Sequence, residues 1–350
     1  RICGICPVAY QMSSVTALEK ALDVEVSPQV YALRRLMYCG EYIESHALHI
    51  YLLQAPDLLG QPSALDLAAI APEVVKNALR MKKIGNEVLK AIGGRSVHPV
   101  NACVGGFYRW PDAAHIQALL PELEWGLEAS KETVRWSLTL PYPALELDYE
   151  FVAIHHSEEY GVMHGDAWSS KGNKTSAADY EMRYFEKHVQ HSNALHGHTA
   201  YGGTYLVGPL ARLNLNHAQL FPAAQKALRD SKLKLPLANP YKSLIARAIE
   251  LVHFYDEAIQ IIKAYQPEGP VHANLKLKAG EGCGMSEAPR GLLYHRYKID
   301  EQGMVRFAKI VPPTSQNLPR IEADLFALAP QLVKMEQEQA NLTAEHLVRS

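Results

Sequence analysis

The stretch SPQVYALRRLMYCGEYIESHALHIYLLQAP, residues 27–56, reads as one long helix and sets the expectation for the rest of the chain. Ser27 is an N-cap residue type, and Pro28 suits the first turn, where its missing N–H costs nothing. Apolar residues recur at helical spacing through Leu33, Leu36, Met37 and Tyr42 towards Leu52, and Gln54-Ala55-Pro56 closes the segment. Working outward, Ser13–Leu22 is helical by the same pattern, and Pro72 opens a helix that Gly93-Gly94 ends. Helical spacing also runs from about Pro111 to Leu140, Ala218 to Ser231, Pro240 to Tyr265, and Ile321 to the end. Strand-like segments are fewer: Leu145 to His155, then Tyr294–Ile299 and Val305–Val311, which flank Asp300-Glu301-Gln302-Gly303 as a hairpin. His156–Lys174, polar and rich in Gly and Ser, is expected to be a surface excursion. The predicted fold class is mainly α with small β elements (α+β), as a single domain over residues 1–350.

Composition narrows the function classes. With 48% hydrophobic residues in 350, the chain has enough apolar material for a sizeable core. A net charge of −2 argues against a nucleic-acid-binding surface. No apolar run approaches the roughly 20 residues of a membrane span. Five cysteines, an odd number, do not suggest a disulfide framework; they fit a reducing compartment, and the protein is expected to be cytoplasmic.

Two of those cysteines, Cys3 and Cys6, form a C-x-x-C within Arg1-Ile2-Cys3-Gly4-Ile5-Cys6. Glycine lets the turn bring both sulfurs to one point, and Arg1 supplies positive charge that favours thiolates. Soft thiolates select nickel, zinc, copper or iron–sulfur centres. On spacing alone, metal binding, a structural zinc lacking two ligands, and a redox pair all remain open. Cys39, Cys103 and Cys283 read as small core residues, Cys283 in a Gly-rich loop.

Further blocks carry a resemblance. Arg1–Cys6 matches R-x-C-G-x-C. Gly40-Glu41-Tyr42-Ile43-Glu44-Ser45-His46-Ala47-Leu48-His49, His98-Pro99-Val100-Asn101 with Gly105-Gly106, Gly208-Pro209-Leu210-Ala211-Arg212, Glu287-Ala288-Pro289-Arg290-Gly291 and Val311-Pro312-Pro313-Thr314-Ser315-Gln316-Asn317 follow in order. Together they resemble the large, catalytic subunit of [NiFe] hydrogenases, in particular the soluble bidirectional NADP-linked or sulfhydrogenase type. The resemblance implies a nickel–iron centre with CN and CO ligands, on which Cys3 is similar to the terminal nickel ligand and Cys6 to the nickel–iron bridge. Arg290 resembles the arginine overhanging the metals, and Pro313 and Thr314 the residues meeting a cyanide. Ile310 resembles a position whose carbonyl helps hold magnesium. Tyr10 stands where many members carry histidine, Asp57 resembles an acid that orients the arginine, and His98 a histidine facing the partner's nearest cluster. The implied reaction is reversible heterolytic splitting of dihydrogen. The implied partners are a small subunit carrying Fe–S clusters and a flavin (FAD) subunit that reduces NAD(P).

Plainer readings stand beside these. His46 and His49, three apart on one helix face, read as packed, hydrogen-bonded histidines rather than ligands. His191, His196 and His198 read as a hydrogen-bonded turn rather than a second metal site. Asp57 is equally an ordinary helix-end carboxylate. A non-catalytic relative resembling the quinone-pocket subunit of respiratory complex I is a competing reading, against which Cys3 and Cys6 argue; a structural thiol–zinc protein is another. The family's D-P-C-x-x-C signature is absent, so the chain is expected to be an internal segment that cannot by itself close a four-thiolate site or act alone.

Overall fold

The computed structural model describes residues 3–350. Ser27 caps the long helix, its hydroxyl accepting the Val30 N–H at 3.3 Å, and the helix runs Pro28–Leu48. It does not continue as α-helix to Leu52. His49–Gln54 form a π-helical turn before the short helix Ala55–Leu58. Such turns hold an extra residue and change which side chains face a neighbour.

Other helices pack around this one. Pro72–Gly93 comes so close that a Cβ on Gly85 would lie 2.5 Å from the Gly40 carbonyl oxygen. Ser243–Ala264, buried over nearly its whole length, packs against both Pro28–Leu48 and Leu120–Ser137. Boundaries shift elsewhere: Pro111–Leu140 divides into Ala113–Gln117 and Leu120–Ser137, and Ala218–Ser231 shortens to Pro222–Ser231. The last expected helix is two, Pro313–Leu332 and Gln337–Arg349.

The expected hairpin is present as Gly291–Ile299 and Val305–Val311, antiparallel and bulged between Val305 and Phe307. Gly280–Ala288 adds a third strand on the other side of Gly291–Ile299. Cys283 therefore lies in a strand, not in a glycine-rich loop. Those glycines have a packing role. Cβ atoms on Gly280, Gly282 and Gly284 would sit 2.1 Å from the Ala21 oxygen, 2.0 Å from the Ala17 oxygen and 2.5 Å from the Ser13 oxygen. Two strand residues and four helix residues both advance about 6–7 Å. Alternate glycines thus let the strand lie directly on the first helix, Pro7–Leu22.

Two further expectations are corrected. Only Val152–His155 of the Leu145–His155 segment pairs as a strand. His156–Lys174 is no surface excursion: Tyr160, Val162 and Met163 are buried, and Asp166–Ser169 pairs with Val152–His155. Its few large apolar residues outweigh the Gly and Ser around them, because each removes substantial area from water. A hairpin, Tyr184–Val189 with Ser192–Thr199, has no counterpart among the expected elements. Its strands carry three histidines with single Glu, Lys and Asn residues, which mask the alternation. Among the described residues, no helix is long and apolar enough to cross a membrane.

Gly282→Val should lower unfolding stability in urea by about 3 kcal/mol or more, because helix and strand must separate. The neighbouring Glu281→Val removes only exposed ion pairs and should cost about 1 kcal/mol or less.

A candidate metal centre

Cys3 and Cys6 lie directly before the first helix, with Cys6 as its N-cap residue and Pro7 in the first turn. The Cys6 thiol donates to the Cys3 sulfur at 2.8 Å, and the backbone N–H groups of Cys6 and Ile5 donate to it at 3.2 and 3.4 Å. These donors stabilise charge on Cys3. Its pKa falls to about 5, chiefly through the Cys6 thiol, with partial burial opposing and Arg290 assisting. Cys6 is pushed far up by the same bond, by burial and by Glu41. The two sulfurs hold one proton between them. A pair this close, one member already a thiolate, fits the donor set a soft metal requires.

The block containing Glu41 meets the pair from a second helix. The buried Glu41 carboxylate accepts the N–H groups of Val8 and Ala9 at 2.6 and 3.2 Å, capping the first helix. Free N–H groups at a helix start need such an acceptor. Burial raises the Glu41 pKa well above the ordinary carboxylate range, while these N–H groups pull it down. Sequence reasoning did not single out Glu41; only its place beside His46 in a matched block pointed there. Arg1 lies outside the described residues; among the described residues, Arg290 contributes positive charge at the sulfurs.

Arg290 stands on the turn between Gly280–Ala288 and Gly291–Ile299, exposed and without an ion-pair partner among the described residues. The turn is anchored from beneath by Arg212, itself fully buried. Arg212 donates to Glu250 through Nε and Nη2 at 2.6 and 2.9 Å and to Glu287 through Nη1 at 3.0 Å. It also donates to the Ala288 and Pro289 carbonyls, both at 2.9 Å. Tyr42 donates to the Glu287 carbonyl at 3.0 Å, and Tyr160 to Glu250 at 2.7 Å. Burial lifts Glu287 to about 7, and Arg212 only partly offsets this.

His46 belongs to this network, its Nε2 2.7 Å from Glu250. Burial lowers its pKa to about 4, so it is neutral and donates to the carboxylate, as the packed-histidine reading holds. His49, on the π-turn, is buried; burial, Arg247 and Arg290 hold its pKa well below the usual range. Its Nε2 has no partner among the described residues.

Pro313 and Thr314 open the Pro313–Leu332 helix, with Thr314 exposed. Gln316 donates to the Leu292 carbonyl at 2.5 Å, and the Asn317 side chain exchanges bonds with Val207 at 2.9 and 3.1 Å. Val207 adjoins Gly208, where a Cβ would lie 2.9 Å from the Arg290 oxygen. The Arg290 turn and the Pro313 helix start are thus tied through Val207-Gly208. Ile310 pairs with His295 across the sheet. Tyr10 meets the His295 ring edge-on at 5.7 Å, and burial followed by the cysteine charges raises its pKa to about 12. Tyr10, His98 and Cys3 line one cleft of about 350 Å3. Larger grooves, such as that between Lys131–Leu138 and Pro222–Ser231, lie away from the cysteines.

Asp57 does not pair with Arg290. Its carboxylate accepts Arg349 Nε and Nη2 at 2.7 and 3.0 Å, because Arg349 at the end of Gln337–Arg349 presents its planar fork there.

A family model described as nickel-dependent hydrogenase matches residues 1–95. The chain is 30% identical to sulfhydrogenase 1 subunit alpha of Pyrococcus furiosus, covering 100% of this chain and 82% of that protein. It is 34% identical to sulfhydrogenase 2 subunit alpha of the same organism, over 97% and 80%. The NAD-reducing hydrogenase HoxS subunit beta of Cupriavidus necator is 26% identical over 91% and 74%. A solved structure of NAD+-reducing [NiFe]-hydrogenase in the H2-reduced state superposes with TM-score 0.88 at 23% identity, over 99% of this chain and 84% of that one.

In the metal-free chain, iodoacetamide should alkylate Cys3 far faster than Cys39 at pH 6.5, read by mass spectrometry. The rate should fall as pH drops through about 5, and Cys6→Ala should move that midpoint upward. Separately, Arg212→Leu leaves buried carboxylates unpaired and should cost about 3–5 kcal/mol in chemical denaturation. Arg212→Lys should recover only part of this, since an ammonium lacks the fork.

Proposed function

The chain belongs to the nickel-dependent hydrogenase family, and on that premise we propose that it is the catalytic subunit of a [NiFe] hydrogenase interconverting dihydrogen with protons and electrons. The observation that carries the reading is the Cys3–Cys6 pair: two sulfurs 2.8 Å apart, one held as thiolate beside the Arg290 charge. Cys3 would serve nickel and Cys6 the nickel–iron bridge. When bound, the nickel–iron centre supplies the Lewis acidity that polarises dihydrogen.

The chain's own residues provide the rest. Cys3 Sγ accepts the Cys6 S–H, so it is suited to receive a proton from a polarised substrate. Arg290 sets a fixed positive charge over the site, matched to anionic diatomic ligands such as cyanide. The start of the Pro313–Leu332 helix offers free N–H groups and the Thr314 hydroxyl to the same kind of ligand. Pro313, lacking an N–H, shapes that start rather than donating. Glu41, Arg212 and His46 act through position: they fix the cysteine helix and the Arg290 turn. Tyr10 and His98, in the cleft with Cys3, border the route by which protons or electrons leave. The Ile310 carbonyl would be the group that helps hold a magnesium ion in this reading.

The electrons pass to a small subunit carrying Fe–S clusters and on to a flavin subunit reducing NAD(P), in the cytoplasm. Support for further subunits and for the NAD link is the likeness to sulfhydrogenase alpha subunits and to a subunit of an NAD-reducing hydrogenase. The described residues form one domain in this reading.

Dye-linked dihydrogen oxidation by the purified holoenzyme tests the assignment. Cys6→Ser should abolish both bound nickel and activity. Arg290→Lys should keep the metals while kcat falls about 10²–10³-fold. Full activity in the Cys6 variant overturns the bridging role, and full activity in the Arg290 variant overturns the role of the guanidinium.

A further inference from the structure

The hairpin Tyr184–Val189/Ser192–Thr199 carries a second convergence of metal-ligating groups, away from the cysteine pair in sequence and built on different elements. His191 lies at the tip, His196 on the returning strand, and Glu322 on the Pro313–Leu332 helix. His191 Nε2 is 2.7 Å and His196 Nε2 2.9 Å from the same oxygen, Glu322 Oε1. The ligand atoms of all three lie within 4.8 Å of one another. His198, grouped with them by sequence, turns instead towards Phe185.

His196 decides the chemistry. Its side chain is 2% exposed, so water does not satisfy it. Its Nδ1 lies 3.2 Å from the Ala194 carbonyl oxygen while its Nε2 faces the carboxylate. A neutral imidazole has one N–H, so in that state one of its nitrogens points a lone pair at an oxygen. A cation between Nε2 and Oε1 removes that conflict, with Nδ1–H committed to the carbonyl. That is the arrangement in which a backbone carbonyl fixes the tautomer of a metal-bound histidine. We infer that His191, His196 and Glu322 form a site for a divalent cation of the zinc class, with two imidazoles, one carboxylate and water as the donor set.

Its role follows from what it joins. Ser315 already donates to Glu186 at 2.7 Å, and a Cβ on Gly197 would sit 2.8 Å from Gln316 Cα. Hairpin and helix touch at the helix start. The cation fastens them again two turns further on, stapling one to the other.

The test uses the full chain carrying Cys3→Ser and Cys6→Ser, so that thiolates take up no zinc. Titration with zinc against a chromophoric chelator should show one saturable equivalent. Glu322→Gln and His191→Ala, both at exposed positions, should each weaken it at least roughly tenfold. Zinc should also slow backbone hydrogen exchange across residues 184–199. Absent saturable uptake, uptake surviving both substitutions, or binding without protection of the hairpin would overturn the site and leave the triad as a hydrogen-bonded cluster.

Discussion

A guanidinium sealed from water must find a partner for every N–H it carries, and Arg212 does. Its five donors go to Glu250, Glu287 and the Ala288 and Pro289 carbonyls. Desolvating one cation and two carboxylates is costly, and only full satisfaction of the hydrogen bonds makes such a cluster tolerable. The consequence is positional. The carbonyls that Arg212 holds belong to the turn presenting Arg290, and the carboxylates that hold Arg212 come from the buried central helix and the glycine-lined strand. A charge with no contact to solvent thereby fixes the direction of one that is exposed.

The cysteine end of the site is fixed by the same kind of exchange. Glu41, from the long helix, supplies the acceptor that the first helix needs at its start, so the sulfurs preceding that helix are registered to the bundle. Neither anchor uses residues that would touch a substrate. Both put ionisable groups where hydrophobic side chains would pack more cheaply, and both orient a reactive or charged group that lies nearer the surface.

Much of this could be read from the sequence. Ser27-Pro28, Pro72 and Gly93-Gly94 announced their helix ends because capping chemistry is local. The cysteine pair, Arg290 and the Val311–Asn317 segment are recognisable as blocks, although the helix that starts at Pro313 is expected only from Ile321, and the fold brings the last two blocks together through Val207-Gly208. What escaped depended on partners distant in sequence. Gly280, Gly282 and Gly284 looked like a loop because the helix that requires them lies more than 250 residues earlier. Tyr160 looked exposed because its neighbours are polar, whereas its hydroxyl is committed to Glu250. Of the two readings of Asp57, an acid orienting Arg290 by resemblance and an ordinary helix-end carboxylate, the pairing with Arg349 fits the second, because a likeness does not say which guanidinium reaches a carboxylate. Glu41, Glu250 and Glu287 gave no local sign of being buried.

The π-turn at His49–Gln54 has a meaning for how such a chain can change over time. It is a helix carrying one residue more than its hydrogen-bond ladder requires. Losing any single residue there would let the ladder close as ordinary α-helix, with little effect on the hydropathy or composition of the whole chain. Everything beyond would then be turned about 100° around the axis. Asp57 would leave Arg349, and Gln54 would leave the Tyr241 carbonyl it now reaches at 2.9 Å. Substitutions along this segment are therefore graded in their effect, while a change in its length acts as a switch of register.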